Sequence, residues 1–365
     1  MNAVRFSEAP KKVKAVKDFM ARKNIVISAR RYGIDAFGAM AQGLFASLLI
    51  GTIIKTIGSQ FGIQVFANIG DYAYQGTGAA MAISIGYALG APALVLFSLV
   101  AVGMAANVLG GAGGPLATFI VAILACECGK AVSKTTPVDI IVTPLVTILI
   151  GVLLSILWAP GIGAAASSVG NAVMWATELQ PFFMGIAVAV IVGMALTLPI
   201  SSAAICAALG LTGLAGGAAV AGCCAQMVGF AVMSFRENRW GGLFAQGIGT
   251  SMLQMGNIMK NPLIWIPPTL ASAITGPLAT CLFSLKMNGA AVASGMGTCG
   301  FVGQIGVYTG WVKDVEAGTK EAITWVDWTS MAAICFILPA VLTLIFASYM
   351  RKRELIKDGD LKLDL

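Results

Sequence analysis

The sequence predicts an all-α polytopic membrane protein with about ten transmembrane helices, some of them broken or re-entrant. Apolar runs of about twenty residues follow one another, and a helix of that length matches the roughly 30 Å hydrocarbon core of a bilayer. Between residues 32 and 350 the chain has only 19 Asp, Glu, Lys or Arg in 319 residues. A soluble domain of this size would need a charged surface, so we expect the protein to lie in a membrane.

Charge at the two ends predicts the topology. Residues 1–31 carry nine Lys or Arg against two acids, and residues 351–365 carry five against four. Because basic flanks stay inside, we expect a bacterial inner-membrane protein with both termini in the cytoplasm. The predicted domains are a basic N-terminal segment (1–31), a membrane domain (32–350) and a C-terminal tail (351–365). Residues 15–26 suit either an amphipathic helix on the inner leaflet or a solvated tail, and no nucleic-acid recognition motif accompanies them.

Nine stretches are apolar and long enough to be predicted spans. They are 35–58, 77–92, 93–110, 115–133, 137–158, 181–198, 213–234, 263–285 and 329–349. Five segments are shorter or richer in glycine, and several of them are expected to enter the membrane without crossing it. They are 59–76, 160–178, 199–211, 241–260 and 288–310. Broken segments at membrane depth must be buried in protein or line a wet cavity, so they indicate where a transport site lies.

Charged loops predict the orientation of these spans. The loops around Lys130 and Arg236 are basic and are predicted to lie inside. The mixed-charge loop 311–327 precedes the last span and is predicted to lie outside. Spans that simply alternate in direction cannot place every one of these loops on its predicted side. One segment between 160 and 260 is therefore either re-entrant or an additional span.

The sequence argues against an enzyme of the usual kinds. Without histidine there is no Ser-His-Asp or Cys-His arrangement and no phosphohistidine. There is no GxxxxGK[ST] phosphate loop. The eight cysteines sit in or near apolar segments, where they behave as small hydrophobes. We therefore expect no catalytic residue, no metal and no cofactor.

The densest polar stretch of the membrane domain is the strongest candidate for a binding site. It contains Gln254, Asn257, Lys260 and Asn261, followed by Pro262. Amides donate and accept hydrogen bonds, as a neutral polyol or sugar requires, and the lysine suits an anion. A plain cytoplasmic turn is the alternative.

Other polar residues lie in apolar surroundings. Ser201 and Ser202 follow Pro199, which breaks a helix, and they are the remaining primary candidates. The alternative is that these hydroxyls only repair the broken helix. Asp139 and Gln226 are secondary candidates, with a helix cap and an interhelical hydrogen bond as their respective alternatives.

Three regions together resemble the fructose-type IIC permeases of the phosphotransferase system. Residues 249–280 (GTSMLQMGNIMKNPLIWIPPTLASAITGPLAT) resemble that family's signature G-L-S-x-I-T-E-G-A-I-P-F followed by D-P-x-R-x-I-P. Residues 111–158 share its Gly-rich turn, short helix and cytoplasmic Lys loop. The LPISSAAI stretch, 198–205, stands where the family has G-P-x-N-K-A-A. Within the family the chain is most similar to the PfoR-type branch, whose members are regulators of a secreted toxin.

The chain departs from the family pattern at its sugar-binding positions. The family's Glu falls on Gln254 or Met255, its Asn-Lys pair falls on Ser201 and Ser202, and its Asp before Pro is Asn261. No IIB domain is present in the sequence, so phosphorylation would need a separate partner.

The resemblance implies a IIC-like fold, a homodimer and a small polar solute, sugar-like or anionic, moved by alternating access without phosphorylation by this chain. The alternative is a PfoR-like membrane sensor that regulates gene expression without net transport. Expected partners are the solute, the bilayer, and a separate IIB-like protein or a cytoplasmic signalling protein.

Overall fold

The computed structural model describes residues 11–363, and the regular elements of that range are helical. The first half contains one surface helix followed by the helices of an apolar bundle. They are α1 (Lys11–Arg22), α2 (Ala36–Leu44), α3 (Ile50–Phe61), α4 (Gln64–Gln75), α5 (Thr77–Ala88), α6 (Ala93–Gly110), α7 (Gly114–Val132) and α8 (Asp139–Thr177). The first ten residues of the predicted N-terminal segment lie outside the described range.

The second half alternates long helices with short, interrupted ones. It contains α9 (Pro181–Thr197), α10 (Ser202–Ala208), α11 (Gly213–Met233), α12 (Phe235–Phe244), α13 (Met255–Lys260), α14 (Ile266–Pro277), α15 (Val302–Glu316), α16 (Trp325–Ala332) and α17 (Leu338–Lys352). One buried hydrophobic cluster extends through both halves, with members from α2 to α16.

Five helical stretches of the described chain are long and apolar enough to cross a membrane. They are Arg31–Ser59, Ala93–Val132, Asp139–Thr177, Gly213–Met233 and Trp325–Lys352. The second of these is a hairpin, because Gly111 adopts φ +51° and the chain turns back, so that Val95 near the start of α6 lies against Gly129 near the end of α7. The all-helical membrane fold is confirmed, while the total of about ten spans stays a prediction.

The prediction of a separate short segment at 160–178 was wrong. These residues continue α8, which runs unbroken from Asp139 through Pro144 and Pro160 to Thr177. Proline is tolerated inside a membrane helix because neighbouring groups satisfy the freed backbone. The small residues of this region allow close packing, since Gly163 contacts the backbone of Gly110 at the α6–α7 turn.

Two other predicted loop regions are partly helical. In the predicted outer loop 311–327, α15 continues to Glu316 and α16 already begins at Trp325. Residues 59–76 form the end of α3 and the whole of α4, which turn at Gly62 with φ +67° and pack as a hairpin. These helices were missed because their polar residues lower the average hydrophobicity below that of the predicted spans.

The segment between α12 and α15 runs along the helix that contains α2 and α3. Gly256 lies against Ile34, Gly249 against Phe45, and Gly300 against Ile53. The contacts therefore follow the helix from its first turns toward its far end. We call this line of contact the seam, and a cavity lies at each of its ends.

Candidate functional site

A polar cavity of about 500 Å³ lies at the first-turn end of this seam. We call it the amide cavity. Its walls come from the start of the α2 helix, the end of α5, the α13 segment and the C-terminal tail, and the lining residues are Ile34, Asp35, Gly38, Ala39, Gln42, Ile83, Ser84, Tyr87, Ala88, Leu253, Gly256, Asn257, Lys260, Lys362 and Leu363. The volume is within the usual range for small-molecule sites.

Two helix ends set the position of the predicted amides. Thr250 has extended backbone, and its hydroxyl accepts from the Met252 amide at 3.1 Å, which starts a 3-10 turn over Ser251–Gln254. Asn261 precedes Pro262 and is also extended, as residues before proline prefer. The short helix α13 therefore ends at Lys260, and its six residues hold the polar side chains close together.

The amides form a continuous hydrogen-bonded chain. Gln246 Nε2 donates to Ser234 Oγ at 2.8 Å, and Gln254 Nε2 donates to Gln246 Oε1 at 2.9 Å. Asn257 Nδ2 donates to Gln254 Oε1 at 2.9 Å, and Lys260 Nζ lies 3.5 Å from Asn257 Oδ1. Gln246 and Gln254 are fully buried, whereas Lys260 is exposed to the cavity. This series of hydrogen bonds thus fixes the amides in place, and the Lys260 ammonium lies at the end that faces the cavity.

Backbone carbonyls of the C-terminal tail accept from the same amides. Gln254 Nε2 donates to Leu361 O at 3.0 Å, and Asn257 Nδ2 donates to Lys362 O at 2.8 Å. Asn261 Nδ2 donates to Leu355 O at 3.0 Å and to Asp360 Oδ2 at 2.8 Å. Three of the four predicted residues in this stretch therefore hold the tail, and the tail forms one wall of the amide cavity.

Burial and the hydrogen bonds of one asparagine side chain hold the tail in place. Ile356 and Leu361 pack with Phe230, Ile258 and Ile264 in a second hydrophobic cluster. Asn238 also brackets the tail, because its Nδ2 donates to Leu361 O at 2.7 Å and its Oδ1 accepts from Leu363 N at 2.8 Å.

An arginine at the start of the tail ties it to α12. Arg351 pairs with Glu237 at 2.8 Å, and this pair is largely buried. The side chain also pairs with the exposed Asp358 at 2.9 Å. The tail is thus a folded cap over residues 234–261.

The two predicted serines do not line the amide cavity. Ser201 caps α10 by accepting from the Ala204 amide at 3.2 Å. Ser202 is buried and donates to Gly295 O at 2.7 Å. The preceding helix ends because Leu198 stands before Pro199 and is extended. The two broken segments meet where Thr197 Oγ1 lies 2.8 Å from Ser251 Oγ, and the prediction that both face one cavity stays a prediction.

The two secondary candidates have structural partners. Asp139 Oδ1 accepts from the Lys134 amide and from Thr143 Oγ1, both at 2.6 Å. Gln226 is fully buried, accepts from Trp265 Nε1 at 3.0 Å and donates to Thr269 Oγ1 at 3.2 Å. Asp139 thus closes the loop before α8, and Gln226 joins α11 to α14.

Sequence reasoning missed Asp35, Gln42 and Ser84 on the cavity wall. All three are polar residues in apolar runs, so the rule that selected Gln226 would have selected them too. It also missed Lys362, which gave no signal because charged tails are usually solvated. Among the described residues no group of three His, Cys, Asp or Glu is placed to hold a metal ion.

An apolar helical bundle whose broken segments line a cavity is an arrangement typical of membrane transport proteins. The sequence model of the family described as Phosphotransferase system, EIIC matches residues 34–363, and the chain therefore belongs to that family. The match begins and ends at the cavity residues Ile34 and Leu363, so it includes the tail. No curated protein and no solved structure matches the chain.

Proposed function

We propose that this protein is a IIC-type permease that binds a small polar solute in the amide cavity and moves it by alternating access. The observation that carries the proposal is the convergence of Asn257 and Lys260 on a cavity of about 500 Å³ formed by broken helices. In this proposal Gln254 and Asn261 support the site through the tail. Ser201, Ser202, Gln226 and Asp139 support the surrounding fold.

The charge of the cavity wall favours a neutral or anionic solute. Asp35 provides one negative charge, while Lys260 and Lys362 provide two positive ones. Gln42, Ser84 and Asn257 add uncharged polar groups, and the oxygens of Ser84 and Asn257 can accept hydrogen bonds from a solute. A sugar, a polyol or an acidic sugar derivative fits this wall better than a cation does.

A second cavity supports passage along the seam. The distal cavity, about 630 Å³, lies at the far end of the α2–α3 helix between Lys55, Thr56, Val302 and Lys313. Phe45 packs on Gly249 between the two cavities, and Ile53 packs on Gly300 beside the distal cavity. We propose that these contacts are the barrier that opens when the solute crosses.

The membrane setting of the proposal is the bacterial inner membrane, with both termini in the cytoplasm. The amide cavity then opens inside, where a separate IIB-like protein would supply the phosphoryl group. Exposed apolar residues along one face of α8, including Ile141, Leu145, Leu149 and Leu153, suit either lipid or a second copy in a homodimer. We expect no phosphoryl transfer to this chain, since it has no histidine.

The docked tail favours one alternative, a PfoR-like sensor. A solute that contacts Lys362 in the amide cavity would act directly on the tail, and through it on a cytoplasmic partner. Such a protein needs the cavity but does not need it to open on both sides.

Solute flux distinguishes the two functions. A thermal-shift screen of purified protein identifies the solute, because a ligand that binds only the folded state raises the melting temperature. Radiolabelled solute is then followed in proteoliposomes, with protein-free vesicles as the control. Uptake that saturates supports the permease, whereas binding without uptake supports the sensor. The assignment of the cavity requires at least one polar solute that the wild-type protein binds and the Lys260→Ala variant does not. If the screen finds no such solute, the assignment is wrong.

A further inference from the structure

A third cavity lies outside the proposed solute pathway and is strongly basic. It has a volume of about 540 Å³ and is formed where α1, the α5–α6 turn and the end of α7 meet. Four of its lining residues are cations, namely Arg22, Lys23, Lys130 and Lys134. We call it the basic cavity.

The cations of the basic cavity are only partly neutralised by the described part of the chain. Lys130 is almost fully buried and pairs with Glu127 at 2.9 Å. Lys23 donates to the carbonyl of Ser133, and Arg22 donates to the carbonyl of Asp18 at 3.4 Å. Among residues 11–363 no carboxylate forms an ion pair with Arg22, Lys23 or Lys134. The Asp139 carboxylate, which accepts from the Lys134 amide at 2.6 Å, offsets only part of these three charges. A positive surplus therefore remains at the cavity wall.

The backbone adds to the attraction for an anion. Gly90 and Pro92 line the cavity, and Pro92 is the N-cap of the 18-residue helix α6. The first amide groups of that helix have no intrahelical acceptor and, with the helix dipole, favour negative charge at this end. The helix end and the surrounding cations thus act on the same space.

The surroundings of the basic cavity suit a lipid. Phe19 belongs to its wall, and Val16, Phe19, Val26 and Ile27 are exposed on α1 and the chain that follows it. Apolar side chains beside lysines are typical of a segment lying in the membrane interface. A lipid can place its phosphate among the cations and its acyl chains against these apolar groups.

We propose that the basic cavity binds the phosphodiester headgroup of an anionic membrane lipid. The cations and the α6 N-terminus hold the phosphate, and α1 lies over the acyl chains. This site is separate from the amide cavity and does not depend on the solute.

Native mass spectrometry of the full chain in detergent tests the proposal. The protein is titrated with phosphatidylglycerol, and with phosphatidylcholine as the zwitterionic comparison. We expect one phosphatidylglycerol to be retained preferentially, and the double variant Arg22→Gln/Lys134→Gln to bind it about fivefold more weakly for each lost cation. The matched control is Lys352→Gln/Lys357→Gln, which removes the same charge from exposed tail positions and should bind like wild type.

Soluble phosphates form the second arm of the experiment. Inorganic phosphate and glycerol 1-phosphate compete weakly if the acyl chains contribute, and as tightly as the lipid if the true ligand is a free phosphate. Three outcomes would overturn the lipid assignment. They are a soluble phosphate that binds as tightly as the lipid, phosphatidylcholine that is retained equally well, and a double variant whose affinity is unchanged. Arg22 and Lys134 are exposed, so the variants should fold, and the single variant Lys134→Gln provides the measurement if the double variant does not.

Discussion

The helix break between α9 and α11 and the break between α12 and α14 contain similar polar groups but use them differently. In the first break, the hydroxyls of Ser201 and Ser202 are satisfied by a nearby amide and by one carbonyl. In the second, Gln254 and Asn257 bond to each other and to the tail, and Lys260 remains open to the cavity. A serine hydroxyl has one donor to place, whereas a side-chain amide has two donors and a carbonyl acceptor.

The comparison shows that a proline-linked break alone does not identify a binding site. Both breaks contain an extended residue before proline, Leu198 in the first and Asn261 in the second. Only in the second break do polar side chains also bond outside the break, to the tail, and line the cavity. Substitutions in the two breaks should therefore separate fold stability from solute affinity.

The largest expected effect is on the tail that covers the second break. Leu361→Ala removes a fully buried side chain and should weaken docking of the tail by about 2–5 kcal/mol. Hydrogen exchange should rise at residues 355–363 and stay unchanged at α10. Leu355→Ala, at a largely exposed position, is the matched control. Unchanged exchange in the Leu361 variant would show that the tail does not depend on this anchor.

The next effect is on solute affinity at the second break. For an anionic solute, Lys260→Ala should cost about 1.5–3 kcal/mol, which is a roughly 10- to 150-fold weaker affinity. Asn257→Ala should cost less, about 2- to 12-fold. Isothermal titration with the identified solute measures both, and Lys286→Ala, an exposed lysine elsewhere, is the control. If both variants bind like wild type, the solute lies elsewhere.

The first break should respond in stability and not in affinity. Ser202→Ala leaves the carbonyl of Gly295 without its partner in a buried site, which should lower the free energy of unfolding by about 1–3 kcal/mol. The melting temperature falls, while solute affinity measured below it stays that of wild type. A selective loss of affinity in a stable Ser202 variant would return this residue to the binding site.

The smallest effect is expected at the cap of α10. Ser201→Ala removes an N-cap acceptor and should cost about 1 kcal/mol of stability. Ser201→Asp keeps an acceptor at the cap and should recover most of the loss. A melting temperature that does not distinguish the two variants would show that the cap bond is not important to α10.

Much of the fold could be predicted from the sequence, because apolar length is a strong signal in a membrane protein. The predicted span 93–110 agrees with α6 (Ala93–Gly110), and membership of the IIC family is confirmed over residues 34–363. The fructose type and the PfoR-like branch stay predictions. The continuity of α8 was missed because Pro160 and its neighbouring glycines usually mark a break. Their packing against the α6–α7 turn is a tertiary contact that no local pattern contains.

The candidate site was predictable in its amides but not in their partners. The pattern around Asn257 indicated hydrogen-bonding capacity next to a broken helix. Only a structure shows which groups these amides bond to. The acceptors are backbone carbonyls, and every residue has one, so nothing in the letters of the tail marks Leu361 or Lys362 as partners. Gln246 and Asn238 join the network through their side chains, and sequence reasoning missed them as well.

The distance along the chain between the amides and the tail also sets an order of biosynthesis. Gln254 is 107 residues from its acceptor on Leu361, and Asn257 is 105 residues from its acceptor on Lys362. At a synthesis rate of about 5–20 residues per second, the ribosome makes these acceptors roughly 5–20 s after the amides. Through that interval the amides must bond to water or to the insertion machinery. Closure of the cap over residues 234–261 therefore follows the synthesis of helices α14 to α17.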